Sequence, residues 1–210
     1  MIWRRRGARL TALAGLVVVL AVPATSSAAT LPLLGGCPAT TYEQPFLRWL
    51  DIGNYVLMPN GALEAGTTGW RLTGGAALES GNETFYVHGA GDSHSLSLPS
   101  GSSATTATLC TSATSPTLRF VARNSGSLLS TLKVEVLYTD LFGQPRALPV
   151  GLLLNGSSWQ PTLPVVFLAN LLSPPLLTSG TTDVAFRFTP QGILSGWKID
   201  DVYVDPFKSE

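Results

Sequence analysis

Two aspartates stand side by side in "GWKIDDVYVDP", Gly196 to Pro206. Ile199, Val202, Tyr203 and Val204 around them read as a strand, and a strand sends neighbouring side chains to opposite faces. Asp200 and Asp201 therefore point apart unless the strand bulges, and at least one of them faces protein. A buried carboxylate without a partner is costly. Ion pairs to Arg71, Arg187 or Lys198 would meet that cost, and so would backbone donors at a strand end.

A second set of residues suggests nucleophilic chemistry and then withdraws it. Gly91-Asp92-Ser93 in "GAGDSHSLSLP" resembles the GDS signature of lipases and esterases. Such a serine needs a base within reach of its hydroxyl. The only histidines are His88 and His94, both near the serine in the chain, whereas in that family the histidine comes near the C-terminus. His94 directly follows Ser93, so in a strand the two side chains point apart. The stretch reads as a turn entering a strand, and positions 91–93 are taken as a decoy. The chain also lacks G-x-S-x-G, H-E-x-x-H, phosphate-loop and dinucleotide motifs. The expectation is a non-enzyme.

Recognition of a sugar needs aromatic faces beside polar side chains. Trp49, Trp70, Trp159, Tyr86, Tyr138 and Tyr203 are the rings on offer. Trp70 and Trp197 belong to strand-like runs and are expected in a core. Trp159 lies between "LNGSS" and "QPT", a setting that predicts an exposed ring on a loop. Trp159, Tyr86 and Tyr138 are the candidate ligand-binding residues.

These residues must be positioned by strands. Short runs of Thr, Val, Leu and aromatics recur every ten to twelve residues, separated by Gly, Pro, Asn and Asp. "GWRL" and "AALE" flank Gly74-Gly75, which predicts a hairpin. "TFYVHG" and "HSLSLP" read as further strands. So do "SPTLRFVAR", "LLSTLKVEVLYTD", "RALPVGLLL", "TDVAFRFTP" and the closing "GWKIDDVYVD". "FLANLLSPPL" is the one place for a short helical turn. About ten strands without a long helical period predict an all-β, single antiparallel sandwich or barrel.

"PNGALEAGTTGW", Pro59 to Trp70, and the closing "W-x-I-D-D-V-x-V" together carry a family resemblance. The chain from about Tyr55 to Pro206 resembles the jelly-roll carbohydrate-binding modules associated with cellulases and xylanases, of galactose-binding-like fold. Leu63 stands where those modules carry an aromatic residue. The resemblance implies a jelly-roll β-sandwich with its first and last strands side by side. It implies a structural calcium held by Glu64, Asp200 and Asp201, since calcium takes six to eight oxygen ligands. It implies polysaccharide or cell-wall glycan as ligand class.

The chain has 210 residues, 13 Lys plus Arg and 13 Asp plus Glu. "MIWRRRGAR" followed by "LTALAGLVVVLAV" and "PATSSAAT" reads as a signal peptide over 1–29, too short to favour a membrane span. An irregular arm follows over 30–54, then the sandwich over 55–210. Loss of Arg4, Arg5, Arg6 and Arg9 leaves nine basic residues against thirteen acidic, which argues against nucleic acid and against anionic lipid as partners. Export into an oxidising compartment predicts one disulfide, Cys37–Cys110. The expected protein is a secreted or envelope-associated, non-catalytic binding module. An envelope structural or protein-interaction domain without a sugar site is the alternative, and a hydrolase a third.

Overall fold

The computed structural model describes Cys37 and residues 40–112, 117–140, 142–154, 156–167 and 181–205. The signal-peptide segment, the turn expected before Pro174-Pro175 and Asn155 lie outside the described residues. Within them the chain forms thirteen strands and one short 3-10 turn.

All strand pairs are antiparallel, and they build two sheets. The first sheet centres on β13 (Gly196–Asp205), flanked by β7 (Thr117–Asn124) and β4 (His94–Pro99). Beyond them lie β10 (Gln160–Pro161) and β3 (Ala77–Ser80), while β1 (Val56–Leu57) pairs with β13 and β11 (Val165–Val166) with β7. The second sheet runs β2 (Arg71–Thr73), β5 (Ser103–Thr105), β12 (Thr181–Gln191), β8 (Thr131–Thr139), β9 (Pro145–Leu153), with β6 (Leu109–Ser112) also on β12. The chain crosses repeatedly from one sheet to the other, as a jelly-roll sandwich requires.

Alternation sets the core. Val184, Phe186 and Phe188 of β12 face Leu118, Phe120 and Ala122 of β7, with Leu132, Val134, Val136, Leu96, Leu98, Trp197 and Ile199 around them. Ring pairs Phe120–Phe188 and Trp70–Phe188 fix the middle, with centroids 5.0 and 6.2 Å apart. A second cluster covers the outer side of the first sheet, where Phe46 and Tyr55 pack on Tyr203, Val121 and Trp159. Phe46 meets Tyr55 and Tyr203 edge-on, at 5.1 and 5.7 Å. Arg119 lies over Phe46 and pairs with Asp51, so the arm is bound to the sheet by both packing and charge.

The first and last strands do lie side by side, Val56 opposite Val204 and Leu57 opposite Tyr203. The disulfide joins Cys37 to Cys110 of β6, with Cα atoms 5.5 Å apart. Closing a loop with a sequence separation of 73 is worth about 4 kcal/mol in the chain-entropy model.

Two strand expectations fail. Gly74-Gly75 does not turn a hairpin: β2 pairs with β5 in one sheet and β3 with β4 in the other. Both glycines have positive φ, and a Cβ on Gly74 would sit 2.3 Å from the carbonyl oxygen of Gly101. The pair is a corner between sheets, wedged against another turn. "TFYVHG" is no strand at all, for a reason that lies in the site.

Candidate functional site

The bulge resolves the aspartate pair. β13 is in register with β7 at Asp200–Val121 and again at Tyr203–Arg119, so two β13 residues, 201 and 202, oppose Phe120 alone. Asp201 takes φ 48° to absorb the extra residue, the left-handed conformation that Asp tolerates better than most residues. Before the bulge, Trp197 and Ile199 face the main core; after it, Val202 and Val204 do. Asp200 and Asp201 are thereby both turned to the outer side of the first sheet, and both are fully buried there.

What they hold is the 83–88 loop. Asp200 Oδ2 accepts the N–H of Glu83 at 3.1 Å, and Asp201 Oδ2 accepts the N–H of His88 at 3.2 Å. Asp200 Oδ1 accepts the N–H of Asp201 at 2.9 Å. The loop is tied at both ends to neighbouring carboxylates and curls about a third. Glu83, also fully buried, takes up the N–H groups of Phe85 and of Val87, the latter at 2.6 Å. Those N–H groups would have formed the strand ladder expected of "TFYVHG". Tyr86, at the turn of the loop, is left at φ 52° and is 51% exposed. An aromatic residue in that region stores strain, and its surroundings must hold it there. Trp49 closes the loop's flank edge-on to Phe85, centroids 5.1 Å apart, and Arg48 lies over both rings.

Three buried carboxylates share this place, and among the described residues no Lys or Arg forms an ion pair with any of them. Burial, reinforced by the charge of Asp201, pushes the Asp200 carboxyl up to about 9. Burial, with Glu83 and Asp92 nearby, pushes Asp201 up to about 7. Burial works against a charge on His88, but its contact with Asp92, 2.8 Å from Nδ1, outweighs that and raises it above its usual value. Donor atoms of His88, Asp92 and Asp201 lie within 4.8 Å of one another. Asp201 Oδ1 and Asn82 Oδ1 are buried without a hydrogen-bond partner.

Glu64 braces the chain directly after Asp92. Its Oε1 accepts the N–H groups of Ser93 and His94, both at 2.8 Å, and its Oε2 meets Ser93 Oγ and His94 Nδ1 at 3.2 and 3.0 Å. Burial tends to raise Glu64, but these bonds prevail and hold it below the usual carboxylate range. The residues that gather beside Asp201 are Glu83, His88 and Asp92, which sequence reasoning passed over. Only an acid preceding an aromatic run hinted at Glu83, since its partner is 117 residues away.

Ser93 and His94 do not point apart as expected. β4 begins at His94, so strand alternation does not reach back to Ser93, and Ser93 Oγ lies 3.1 Å from His94 Nδ1. Ser93 and Glu64 nevertheless converge on the same ring nitrogen. A triad needs the acid on one nitrogen and the serine on the other, so this knot cannot pass a proton from hydroxyl to ring while the acid orients it.

The aromatic candidates separate clearly. Trp159 is buried in the second cluster with Arg123 5.3 Å from its ring centre, which corrects the expectation of an exposed loop residue. The glycine- and serine-rich flank was a poor guide, because Gln160 pairs with Ala122 of β7 and pulls the ring onto the sheet. Tyr138 packs against the main core from β8. Tyr86 alone of the three presents a half-exposed ring.

The described residues thus make up a jelly-roll β-sandwich with a carboxylate-braced aromatic loop on the outer side of one sheet. No protein-family model matches the chain, and no curated protein matches it. Among solved structures it is similar to the family 22 carbohydrate-binding and xylanase modules of Clostridium thermocellum Xyn10B complexed with xylohexaose, at 11% identity and TM-score 0.48 over 67% of this chain. The match spans 26% of that longer chain. It is similar to a xylan-binding domain of family 22 (15% identity, TM-score 0.46, 74% of this chain and 96% of that one). It is also similar to TmCBM61 in complex with β-1,4-galactotriose (16%, 0.42, 72% and 98%).

Proposed function

We propose that the chain is an exported, non-catalytic carbohydrate-binding module whose ligand surface is the 83–88 loop. The observation that carries this reading is Tyr86, a half-exposed aromatic ring on strained backbone, tied down at both ends of its loop by buried carboxylates. A loop backbone fixed in this way loses little freedom on binding, which favours stacking of its ring on the C–H face of a sugar. His88 and Asp92, partly exposed beside it, supply hydrogen-bonding groups for hydroxyls. Xylan and β-1,4-galactan are the first ligands to try, because proteins of similar fold are described with xylohexaose and galactotriose.

A calcium ion belongs to the same proposal. The residues fit it at Asp201 and Asp92: both are hard oxygen donors, their ligand atoms lie within 4.8 Å of each other and of His88, and Asp201 keeps one unpartnered oxygen. Bound there, the cation would supply the positive charge that the three buried carboxylates lack. Glu64 is not assigned to it, because both of its oxygens are engaged by Ser93 and His94.

The test is depletion onto insoluble xylan, galactan and peptidoglycan by the wild type and Tyr86→Ala. The proposal expects retention on at least one polymer and its loss in the variant, with the melting temperature unchanged. Retention that survives the substitution refutes Tyr86 as the platform, and no retention on any polymer refutes the class.

A further inference from the structure

One end of the sandwich carries four aliphatic side chains held out into solvent. Leu128 and Leu129, between β7 and β8, are 96% and 85% exposed; Ile193 and Leu194, between β12 and β13, are 86% and 76% exposed. The two loops are bound to each other. Ser127 donates its N–H to the carbonyl of Leu194 and its hydroxyl to that of Ile193, both at 2.9 Å. The N–H groups of Ser125 and Gly126 both reach the carbonyl of Gly196, at 3.0 and 3.1 Å. A Cβ on Gly126 would lie 2.3 Å from the Gly196 nitrogen, so the backbones touch. The Asn124 side chain ties Gly126 N–H and the Ser127 carbonyl, and buried Ser130 receives the Trp197 indole at 2.8 Å. Leu194 is held at φ 53°, a conformation that a non-glycine residue keeps only when its surroundings impose it.

This is a twin-looped apolar projection whose two loops are cross-linked through the backbone at Ser125, Gly126, Ser127, Ile193, Leu194 and Gly196. From Asn124 to Leu132 and from Phe188 to Trp197 there is no charged residue. The nearest charged residues in the chain on either side are Arg123, Lys133, Arg187 and Lys198. Of these, Lys133 and Arg187 share the single carboxylate of Glu135, and Lys198 pairs with Glu79.

We infer that the twin loops insert into the surface of a lipid bilayer. Three arguments choose this occupant. The four residues are 76–96% exposed, lining no groove of their own, and a bilayer accepts such apolar tips without a complementary pocket. It is uncharged, as residues entering the acyl boundary must be. It is too small for self-association: four aliphatic side chains bury roughly 60–120 Å² each, well short of the roughly 800 Å² per partner of a stable interface. The expectations of no membrane span and of no anionic-lipid partner after signal cleavage rested on segment length and on the lack of a basic surface, and neither bears on loop tips. Binding by this route depends on apolar burial and is insensitive to salt.

The test uses the chain from residue 30 onward, which contains every described strand, both cysteines and both core clusters. Its partition onto large unilamellar vesicles of phosphatidylcholine, and of phosphatidylcholine with phosphatidylglycerol, is measured by sedimentation at low and high salt. The expected result is binding to both vesicle types that changes less than threefold with salt. Leu128→Ser with Leu129→Ser lowers it at least about tenfold, and adding Ile193→Ser with Leu194→Ser abolishes it. Leu163→Ser, an exposed apolar residue elsewhere, leaves it unchanged. All four tip residues are exposed, so the variants retain the wild-type melt. A bromolipid-quenching measurement on Leu128→Trp supplies a readout independent of amounts bound, and quenching is expected. Failure of the wild type to bind either vesicle, equal binding by the quadruple variant, or a wild-type dimer that the quadruple variant dissociates would each overturn the inference.

Discussion

Raising the pH of the metal-free protein from 5 to 7 should destabilise it steeply. Asp200 and Asp201 are raised in the folded chain to about 9 and about 7, from an unfolded value of 3.8, chiefly by burial. Above pH 4 the unfolded chain therefore binds fewer protons at these sites than the native one, and stability falls with pH. Each such group contributes a slope of about −1.4 kcal/mol per pH unit. Two groups give roughly −3 kcal/mol per unit over this window, an upper bound because the pair is coupled. For a domain of this size that is about 6–12 °C of Tm per pH unit. The carboxylates held below their usual values, Asp51, Glu64, Glu79, Glu135 and Asp140, add stability as pH rises, but they do so below pH 5. His88, raised above 6.5, loses stability as pH rises through its folded value and so acts in the same direction. The assay is a series of calorimetric melts in EDTA at pH 5, 6 and 7, repeated with Asp201→Asn, which should roughly halve the slope. A metal-free Tm that is flat or rises across this range would refute the reasoning. Millimolar calcium should flatten or invert the slope, because the cation selects the ionised carboxylates.

Further outcomes are expected. Trp159→Ala removes a buried ring from the second cluster and should cost about 3–5 kcal/mol in denaturant unfolding, so any loss of glycan retention follows unfolding instead of preceding it. Cys37→Ser with Cys110→Ser should lower stability by about 4 kcal/mol, read from urea melts against the wild type under oxidising and reducing conditions. Glu64→Ala leaves the N–H groups of Ser93 and His94 without their acceptor and should cost about 1–3 kcal/mol. It should leave calcium affinity, measured by titration calorimetry, within threefold of wild type.

Much of the fold was legible because it depends on local alternation. The polar–apolar rhythm of Leu132 to Val136 and of Val184 to Phe188 describes strands with one face in a core, and both are so placed. The double aspartate left two outcomes open, side chains on opposite faces or a bulge, and only the register with β7 decides for the bulge. The errors have a common cause in contacts distant along the chain. "TFYVHG" has strand composition, yet Glu83 withdraws its N–H groups and residues 117 and 113 positions away fix its ends. Gly74-Gly75 has hairpin chemistry, yet the strands it joins find partners in different sheets. Trp159 follows a turn-like run, yet the ladder to β7 buries it. The exposed twin loops left no sequence signal, because "SLL" and "GIL" read as strand or core until tertiary structure shows them facing outward.

The central claim is that the carboxylate-braced loop offers Tyr86 to a sugar. Affinity gel electrophoresis of the wild type and Tyr86→Ala through soluble xylan and β-1,4-galactan tests it most directly. The account predicts retardation of the wild type in at least one gel and free migration of the variant in the same gel. Unretarded wild type in both gels, or equal retardation of the two proteins, would contradict it.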